Sequence, residues 1–573
     1  MRKLEMMRLT ASQMTKNEPV SSLKNHRFLV DLFLEMEHRF EVNALKLEGV
    51  HLWPLLRLQL GRSFKQTDAI ADAGLSGIIS GAEADTSDTP LPRNKAERAR
   101  LAKEHMDHAF AFPKESARRV NTDLEKLAEH SGPVFALQTK IEKYYLERPG
   151  GFYAPILDPA SEDLAAYGRV QRLALEPLPI ECVNQPLKLD MAAFLATNEL
   201  SEVTIPPDID SSLIEIETYL QERWPDFPFD RKRIYKRFRQ LRDRRAFWYR
   251  VYSELRPEFV LVSSFTGWLH ALWAAKDLGI PVIDVQHGGQ GAIHYPTTHF
   301  GDIPKEGYHF LPDVLWLWGN RNTEFASKWL PGGASRHIPV VGGHRGVARW
   351  NKNRLNGQLA KLDQDFVAKY HGKANALVTL SYALDPLMPV EMMEAVKLAP
   401  EIHWFIRLHP IHRSSAARDQ IIATLHEMGC NNFSIDEPTD VQLQTALYVS
   451  RVHFTPFSTS VREAIAFGVP SAITHPAGEL LFREEIGTGT FGYAVSSNDI
   501  VAFARRNIKQ QALSGCIQSD NIETAESAVG NIVATARQIA QQVPRLSSTA
   551  PQPPHPGSKR QSWIKSVIGR WTD

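Results

Sequence analysis

Short apolar runs alternate with stretches of helical length along most of this chain, and they do so in two series. The first series is Val134–Leu137, Val170–Ala174, Phe259–Ser263, Val282–Val285, Val314–Leu317 and Ile338–Val341. The second is Ala376–Leu380, His403–Ile406, Phe433–Ile435, Val452–Phe454, Pro470–Ile473 and Tyr493–Val495. Runs without polar alternation read as strands buried on both faces, and helices between successive buried strands make those strands parallel. The expected fold class is therefore α/β: two Rossmann-like doubly wound parallel-sheet domains, over 130–345 and 373–545, facing a cleft. Interdomain clefts are favoured ligand sites, and 573 residues suit two large domains with tails.

The flanking segments differ in character. Residues 1–24 are charged and polar throughout, without the apolar stretch of a secretory signal, and read as a flexible N-terminus. Residues 25–125 predict a helical extension that opens with a helix over His26–Val42 and contains a Gly-, Ala-, Ser-, Asp- and Pro-rich mobile linker over 76–93. The tail, 546–573, begins as a Pro-rich linker and then regains helical periodicity. Trp563, Ile564, Val567, Ile568 and Trp571 share one face, and Lys559, Arg560, Lys565 and Arg570 fill the rest. Residues 559–571 thus have the composition of a helix lying in an anionic membrane surface; the competing reading docks it back on the protein.

Charge and cysteine usage narrow the function classes. Lys plus Arg (66) balances Asp plus Glu (65), so no global field favours nucleic acid. Three scattered cysteines give neither a disulfide framework nor a cysteine zinc site, which suits a reducing cytoplasm. With no 18-residue apolar run, no segment is expected to span a bilayer, and the basic amphipathic tail makes a peripheral position at the inner membrane face the expectation. The basic stretch Asp230–Arg250, with Phe238, Leu241, Phe247 and Trp248 interleaved, reads as a solvated helix with one buried face or as an anion site.

Two segments of the second series carry the chemistry. Arg407-Leu408-His409-Pro410 ends one presumed strand, and Thr455-Pro456-Phe457-Ser458-Thr459-Ser460 ends another. Ligands of open α/β sheets bind at such ends. Arg407 and His409 lie two residues apart in extended backbone, and both suit phosphate. Ser458, Thr459 and Ser460 precede a helix whose first N–H groups would complete an anion site. Equally, Ser460 and Glu463 are spaced as a capping box, and Glu463 has an alternative role in accepting ribose hydroxyls. Asp208-Ile209-Asp210 and Asp363-Gln364-Asp365 do not end strands, so no metal site is expected.

The order strand, Arg-Leu-His-Pro, strand, Thr-Pro-Phe-Ser-Thr-Ser, helix with Arg-Glu-Ala, Gly-Val-Pro, strand resembles the donor-binding half of GT-B glycosyltransferases. Its His-Pro element followed by a Ser/Thr pair is similar to bacterial surface-polysaccharide enzymes: Kdo transferases, sialyltransferases and CDP-glycerol polymerases. The resemblance covers about residues 255–500. It implies a cytidine-nucleotide sugar as co-substrate, with no other cofactor, its phosphate held by His409, Ser458 and Thr459.

In the first series, Gln286-His287-Gly288-Gly289-Gln290-Gly291 follows a strand, and its glycines let backbone approach a ligand closely. This segment resembles the Gln-His-Gly element of surface-polysaccharide transferases, and it supplies His287 and His294 for binding or proton transfer. Gly342 and Gly343 end the last strand of the series, where they form either a phosphate-facing hinge or a plain turn. An inverting transferase needs a carboxylate or histidine base; Asp158, before Pro159, and His287 are the candidates, and in a retaining enzyme Asp158 would be a nucleophile. The function expected is transfer of Kdo or another acidic sugar from a CMP donor to a surface glycan or glycolipid acceptor. The alternatives are polyol-phosphate transfer, sugar-nucleotide epimerisation on the same fold, and a non-catalytic scaffold.

Overall fold

The structure, a computed structural model, describes residues 26–65, 134–137, 146–148, 151–175, 186–197, 203–224, 229–288, 296–330, 336–381, 386–409, 412, 416–509 and 522–542. The linker 76–93, His294 and the tail 546–573 lie outside these residues. Among the described residues no helix is long and apolar enough to cross a membrane.

Helices α1 (His26–Arg39) and α2 (Trp53–Lys65) flank a small hairpin of β1 (Lys46–Leu47) and β2 (Val50–His51). Glu48 and Gly49 turn it with φ of 50° and 80°, the left-handed geometry of a tight hairpin turn. There follow β3 (Val134–Leu137), a hairpin of β4 (Leu146–Arg148) and β5 (Gly151–Tyr153), and α3 (Leu157–Leu164). Next come β6 (Val170–Leu175), β7 (Leu187–Leu189), α4 (Met191–Thr197), α5 (Pro207–Arg223) and α6 (Arg231–Leu255). Strand β8 (Phe259–Ser263), helix α7 (Leu269–Asp277), β9 (Val282–Val285), β10 (Val314–Leu317), α8 (Asn320–Trp329) and β11 (Ile338–Val341) complete the first unit. Its seven strands are all parallel, in the order β11-β10-β9-β8-β3-β6-β7.

The second unit begins with α9 (Arg345–Leu355) and α10 (Lys361–Tyr370), then β12 (Asn375–Thr379), α11 (Val390–Leu398), β13 (His403–Arg407) and α12 (Ala416–Glu427). It continues with β14 (Phe433–Ser434), α13 (Asp436–Asp440), α14 (Leu443–Tyr448), β15 (Val452–Thr455), α15 (Ser460–Ala466) and β16 (Ser471–Ile473). Helix α16 (Pro476–Gly487), β17 (Gly492–Tyr493) and α17 (Ser497–Ile508) follow, and α18 (Ser527–Gln542) ends the described chain. The second sheet is parallel in the order β14-β13-β12-β15-β16-β17. Counted within its own unit, each sheet runs 3-2-1-4-5-6, with a seventh strand on the first. Both are Rossmann-like, and the order reverses between β3 and β8 and between β12 and β15, the switch points where such sheets take ligands.

Three boundaries differ from the sequence reading. Residues 346–372, left outside both domains by the sequence pattern, belong to the second: Val347 and Trp350 of α9 and Phe366 and Tyr370 of α10 bury against Leu377 and Phe405 of the second sheet. Polar residues dominate those helices because only one face of each is buried. The described part of the extension is not separate either, since Leu29, Phe33, Trp53 and Leu56 share one core with Phe238, Trp248 and Trp273 of α6 and α7. Nor does the second unit keep its last helix. Val529, Ile532, Val533, Ala536 and Ile539 of α18 pack on Phe259, Ile283, Val314 and Trp316 of the first sheet.

Ile532 is fully buried in that interface. Ile532→Ala should therefore lower the unfolding free energy by about 2–5 kcal/mol, measured by denaturant titration, whereas Leu355→Ala at a 68% exposed position should leave it nearly unchanged.

Candidate functional site

The carboxyl ends of β8 and β9 meet the carboxyl end of β15 across the interdomain cleft. After β9 the backbone is locked by Gln286, which is fully buried. Its side-chain oxygen accepts from the Trp318 N–H at 2.8 Å, its Nε2 donates to the Gly288 carbonyl at 2.9 Å, and its own carbonyl accepts from the Trp318 indole N–H at 2.8 Å. These bonds aim His287 and Gly288, both half-buried, out of the sheet end. Ser264, at positive φ just past β8, places its Oγ 3.0 Å from His287 Nε2. On the opposite side of the cleft stand Ser458 and Thr459. A Cβ built on Gly288 would lie 3.6 Å from Thr459 Oγ1, so the Gln-His-Gly loop and the Ser-Thr-Ser loop face each other at van der Waals distance.

On the second domain the hydroxyls divide their work. The Ser458 N–H donates to Thr455 Oγ1 at 3.1 Å, and Ser458 Oγ accepts from the Ser460 N–H at 3.3 Å. The Val461 and Arg462 N–H groups donate to the Ser458 and Thr459 carbonyls, so the first amides of the seven-residue α15 already have partners. The expected anion site at that helix start is thus reduced to the Ser458 and Thr459 hydroxyls, both half-buried. Ser460 is buried instead, bonded at 2.7 Å to Thr379 Oγ1, which lies 2.9 Å from His453 Nε2. His409, half-buried, lies just beyond β13, and its carbonyl accepts from the His412 N–H at 2.8 Å.

Several sequence-predicted residues have other occupations. Arg407 donates through one guanidinium nitrogen to the carbonyls of Pro438 and Val441, the latter at 2.8 Å, and so pins the turn between α13 and α14. Asp158 is 1% exposed, accepts from the Ala154 N–H at 2.7 Å and pairs with Arg172; a carboxylate shut in and neutralised in this way cannot reach an acceptor hydroxyl. The N–H groups of Gly342 and Gly343 both donate to the Leu317 carbonyl and are not turned to the cleft. Glycine is required there for packing: a Cβ on Gly342 would collide with the Trp316 indole, and one on Gly343, at φ 81°, with the Glu523 carbonyl.

Glu463 forms neither the capping box nor an open ribose site. Its Oε1 accepts from Gln444 Nε2 at 3.0 Å and lies 3.2 Å from His344 Nε2. His344 caps α9 through Nδ1, which accepts from the Val347 N–H at 3.2 Å, so the ring proton must sit on Nε2 and point at Glu463. The ring also lies 4.4 Å from that of Trp318. A second link between the domains runs from Arg321 of α8 to Glu485 of α16 at 3.6 Å, and Glu485 holds the buried Arg462 at 2.8 Å. Ser264, Trp318 and His453 were missed in the sequence. For His453 a signal was present, a histidine inside an apolar strand.

No family model and no curated protein matches this chain. Among solved structures it is similar to S. aureus MnaA in a UDP co-structure, at 14% identity over 72% of this chain and 97% of that one, with a TM-score of 0.42. UDP-GlcNAc 2-epimerase from Neisseria meningitidis bound to UDP-GlcNAc matches at 14% identity, over 70% and 98%, with a TM-score of 0.40. A UDP-glucose:anthocyanidin 3-O-glucosyltransferase in complex with UDP matches at 11%, over 76% and 98%, with a TM-score of 0.37. Likeness at this level carries no conclusion about activity.

Two predictions come from this geometry. Gly343→Ala should destabilise the domain junction and lower the melting temperature by several degrees, while Gly288→Ala, whose Cβ meets only ordinary contact, should melt as the parent does. Burial holds the imidazole of His453 at a pKa of about 3, against about 6.5 unfolded. The unfolded chain therefore takes up a proton that the native chain refuses, and this group makes stability fall as pH drops from about 6.5 toward 3. His453→Gln should flatten the fall of unfolding free energy with pH across that window, read from denaturant titrations at several pH values.

Proposed function

We propose that the protein is a GT-B-type glycosyltransferase that uses a nucleotide sugar. The observation that carries the reading is the opposition of His287 and Gly288, at the end of one Rossmann-like sheet, to Ser458 and Thr459, at the end of the other. The Ser458 and Thr459 hydroxyls, with His409 beyond the neighbouring strand, hold the donor phosphate and offset charge that develops on it as the sugar leaves. With Asp158 buried in an ion pair, His287 is the group placed to take the proton of the acceptor hydroxyl. Its contact with Ser264 orients the ring.

The finer reading keeps the resemblance of the Arg-Leu-His-Pro and Thr-Pro-Phe-Ser-Thr-Ser elements. The donor is a CMP-linked acidic sugar such as Kdo, and the acceptor is a surface polysaccharide or lipopolysaccharide glycan at the cytoplasmic face of the membrane. Residues 559–571 supply the contact with anionic lipid. Removing 546–573 should weaken binding of the protein to anionic vesicles, and unchanged binding would sink that part.

A thermal-shift panel decides the donor: CMP or a CMP-sugar should raise the melting temperature of the full chain more than UDP or GDP does. Absence of a shift with all of them would favour a scaffold. His287→Ala should lower the transfer rate by about 10²–10⁴-fold while keeping the nucleotide-induced shift. His409→Ala should lose both transfer and the shift, and full activity in either variant would overturn its assigned role.

A further inference from the structure

The switch point of the first sheet holds a cluster that the proposed transfer does not use. Past β8 the chain makes one 3₁₀ turn, Phe265–Gly267, and enters α7. Thr266, Trp268 and His270 from this stretch are 2%, 5% and 3% exposed. Against them lies one stripe of α6, in which Arg237, Arg244, Trp248 and Tyr252 recur at helical spacing. The Trp248 and His270 rings stack with centroids 6.3 Å apart and planes 3° off parallel, and Trp268 meets both edge-on at 5.9 and 6.1 Å. Tyr252 packs on Trp248 at 5.5 Å.

The polar tips of this aromatic cage are the anomaly. Trp248 Nε1, Trp268 Nε1, Tyr252 Oη, His270 Nδ1 and Thr266 Oγ1 are all buried, and among the described residues none has a hydrogen-bond partner. Each such group costs about 1–3 kcal/mol when left so, and native interiors rarely keep several together. The set is rich in donors: two indole N–H groups that can only donate, and two hydroxyls able to do so. Positive charge borders it. Arg242 and Arg245 are engaged by Glu48 and Asp277, whereas Arg244 has no carboxylate partner among the described residues and acts on His270 together with Arg237. Burial and these two arginines hold the His270 imidazole well below its usual range, so the ring is neutral and needs no counter-charge of its own. Ser264, two residues before Thr266, touches His287, which sets the cage beside the candidate transfer site.

We propose that Trp248, Tyr252, Thr266, Trp268 and Arg244 form an oxyanion subsite on the first domain that takes a carboxylate or phosphate group of the acceptor. Oxygen lone pairs would satisfy the buried donors, and the guanidinium would complement the charge. Calling the ligand an acceptor rests on the glycosyltransferase reading; binding of the oxyanion does not.

Calorimetric titration of the full chain with glucuronate, inorganic phosphate and glucose tests the site. Saturable binding of glucuronate, phosphate or both, with none of glucose, is expected, and Arg244→Gln and Trp268→Phe should each weaken it at least tenfold, with Arg244→Lys restoring part. Preference for glucuronate assigns an acidic-sugar carboxylate as the natural group, and preference for phosphate assigns a phosphorylated acceptor. No saturable binding of either anion, binding that Arg244→Gln leaves unchanged, or equal binding of glucose would overturn the subsite. A nucleotide thermal shift measured on the same variants should be unaltered, so loss of the subsite and failure of the donor assignment are read separately.

Discussion

Trp318 is the residue on which the geometry of the cleft depends. Its backbone N–H and indole N–H both donate to Gln286, its ring lies on His344, and its carbonyl accepts from the Glu523 N–H at 2.7 Å. One residue next to the end of β10 thus fixes, through its backbone and its indole together, the loop after β9, the first crossing into the second domain and the return crossing. Because its ring packs on His344 while Val347 takes Nδ1, the imidazole can only offer Nε2–H to Glu463. The position of the Gln-His-Gly loop and the seat of the donor-side helix are therefore coupled through a single indole.

Histidine chemistry separates scaffold from site. His344 is held as a helix cap, its Nδ1 accepting from the Val347 N–H, and His453 is fully enclosed, so that burial makes the neutral ring the form its surroundings accept. His337 is similar: burial holds it at a pKa of about 3, and Nδ1 and Nε2 are engaged with the Pro312 carbonyl and the Tyr308 N–H. His287 is different in kind, being half-buried at a sheet end with a hydroxyl against its ring. A proton carrier needs access to water and substrate, and the buried rings have neither.

Most of the fold was legible because a parallel strand buried on both faces leaves an uninterrupted apolar run. Eleven of the thirteen strands of the two sheets coincide within a residue or two with such runs; Leu187–Leu189, too short to register, does not, and Gly492–Tyr493 only touches its run. The candidate site was legible where position follows from the end of a strand, as for His287, Ser458 and Thr459. It was illegible where a side chain turns toward a partner distant in sequence. Arg407 reaches carbonyls of 438 and 441, Asp158 meets Arg172, and Glu463 meets His344 at the crossing between the domains. The domain limits failed for a related reason: the amphipathic pattern of α18 says that one face is buried and not which sheet buries it.

The return of α18 to the first sheet also sets an order of events in synthesis. One face of that sheet, including Phe259, Ile283 and Trp316, is covered by residues 529–539, which leave the ribosome only after the whole second domain. The second sheet and its helices can close as they emerge, whereas the first must hold an apolar face open until residues 529–539 have followed. The domain that begins first therefore finishes last, and during that interval it is the part of the nascent protein most exposed to aggregation and most in need of a chaperone.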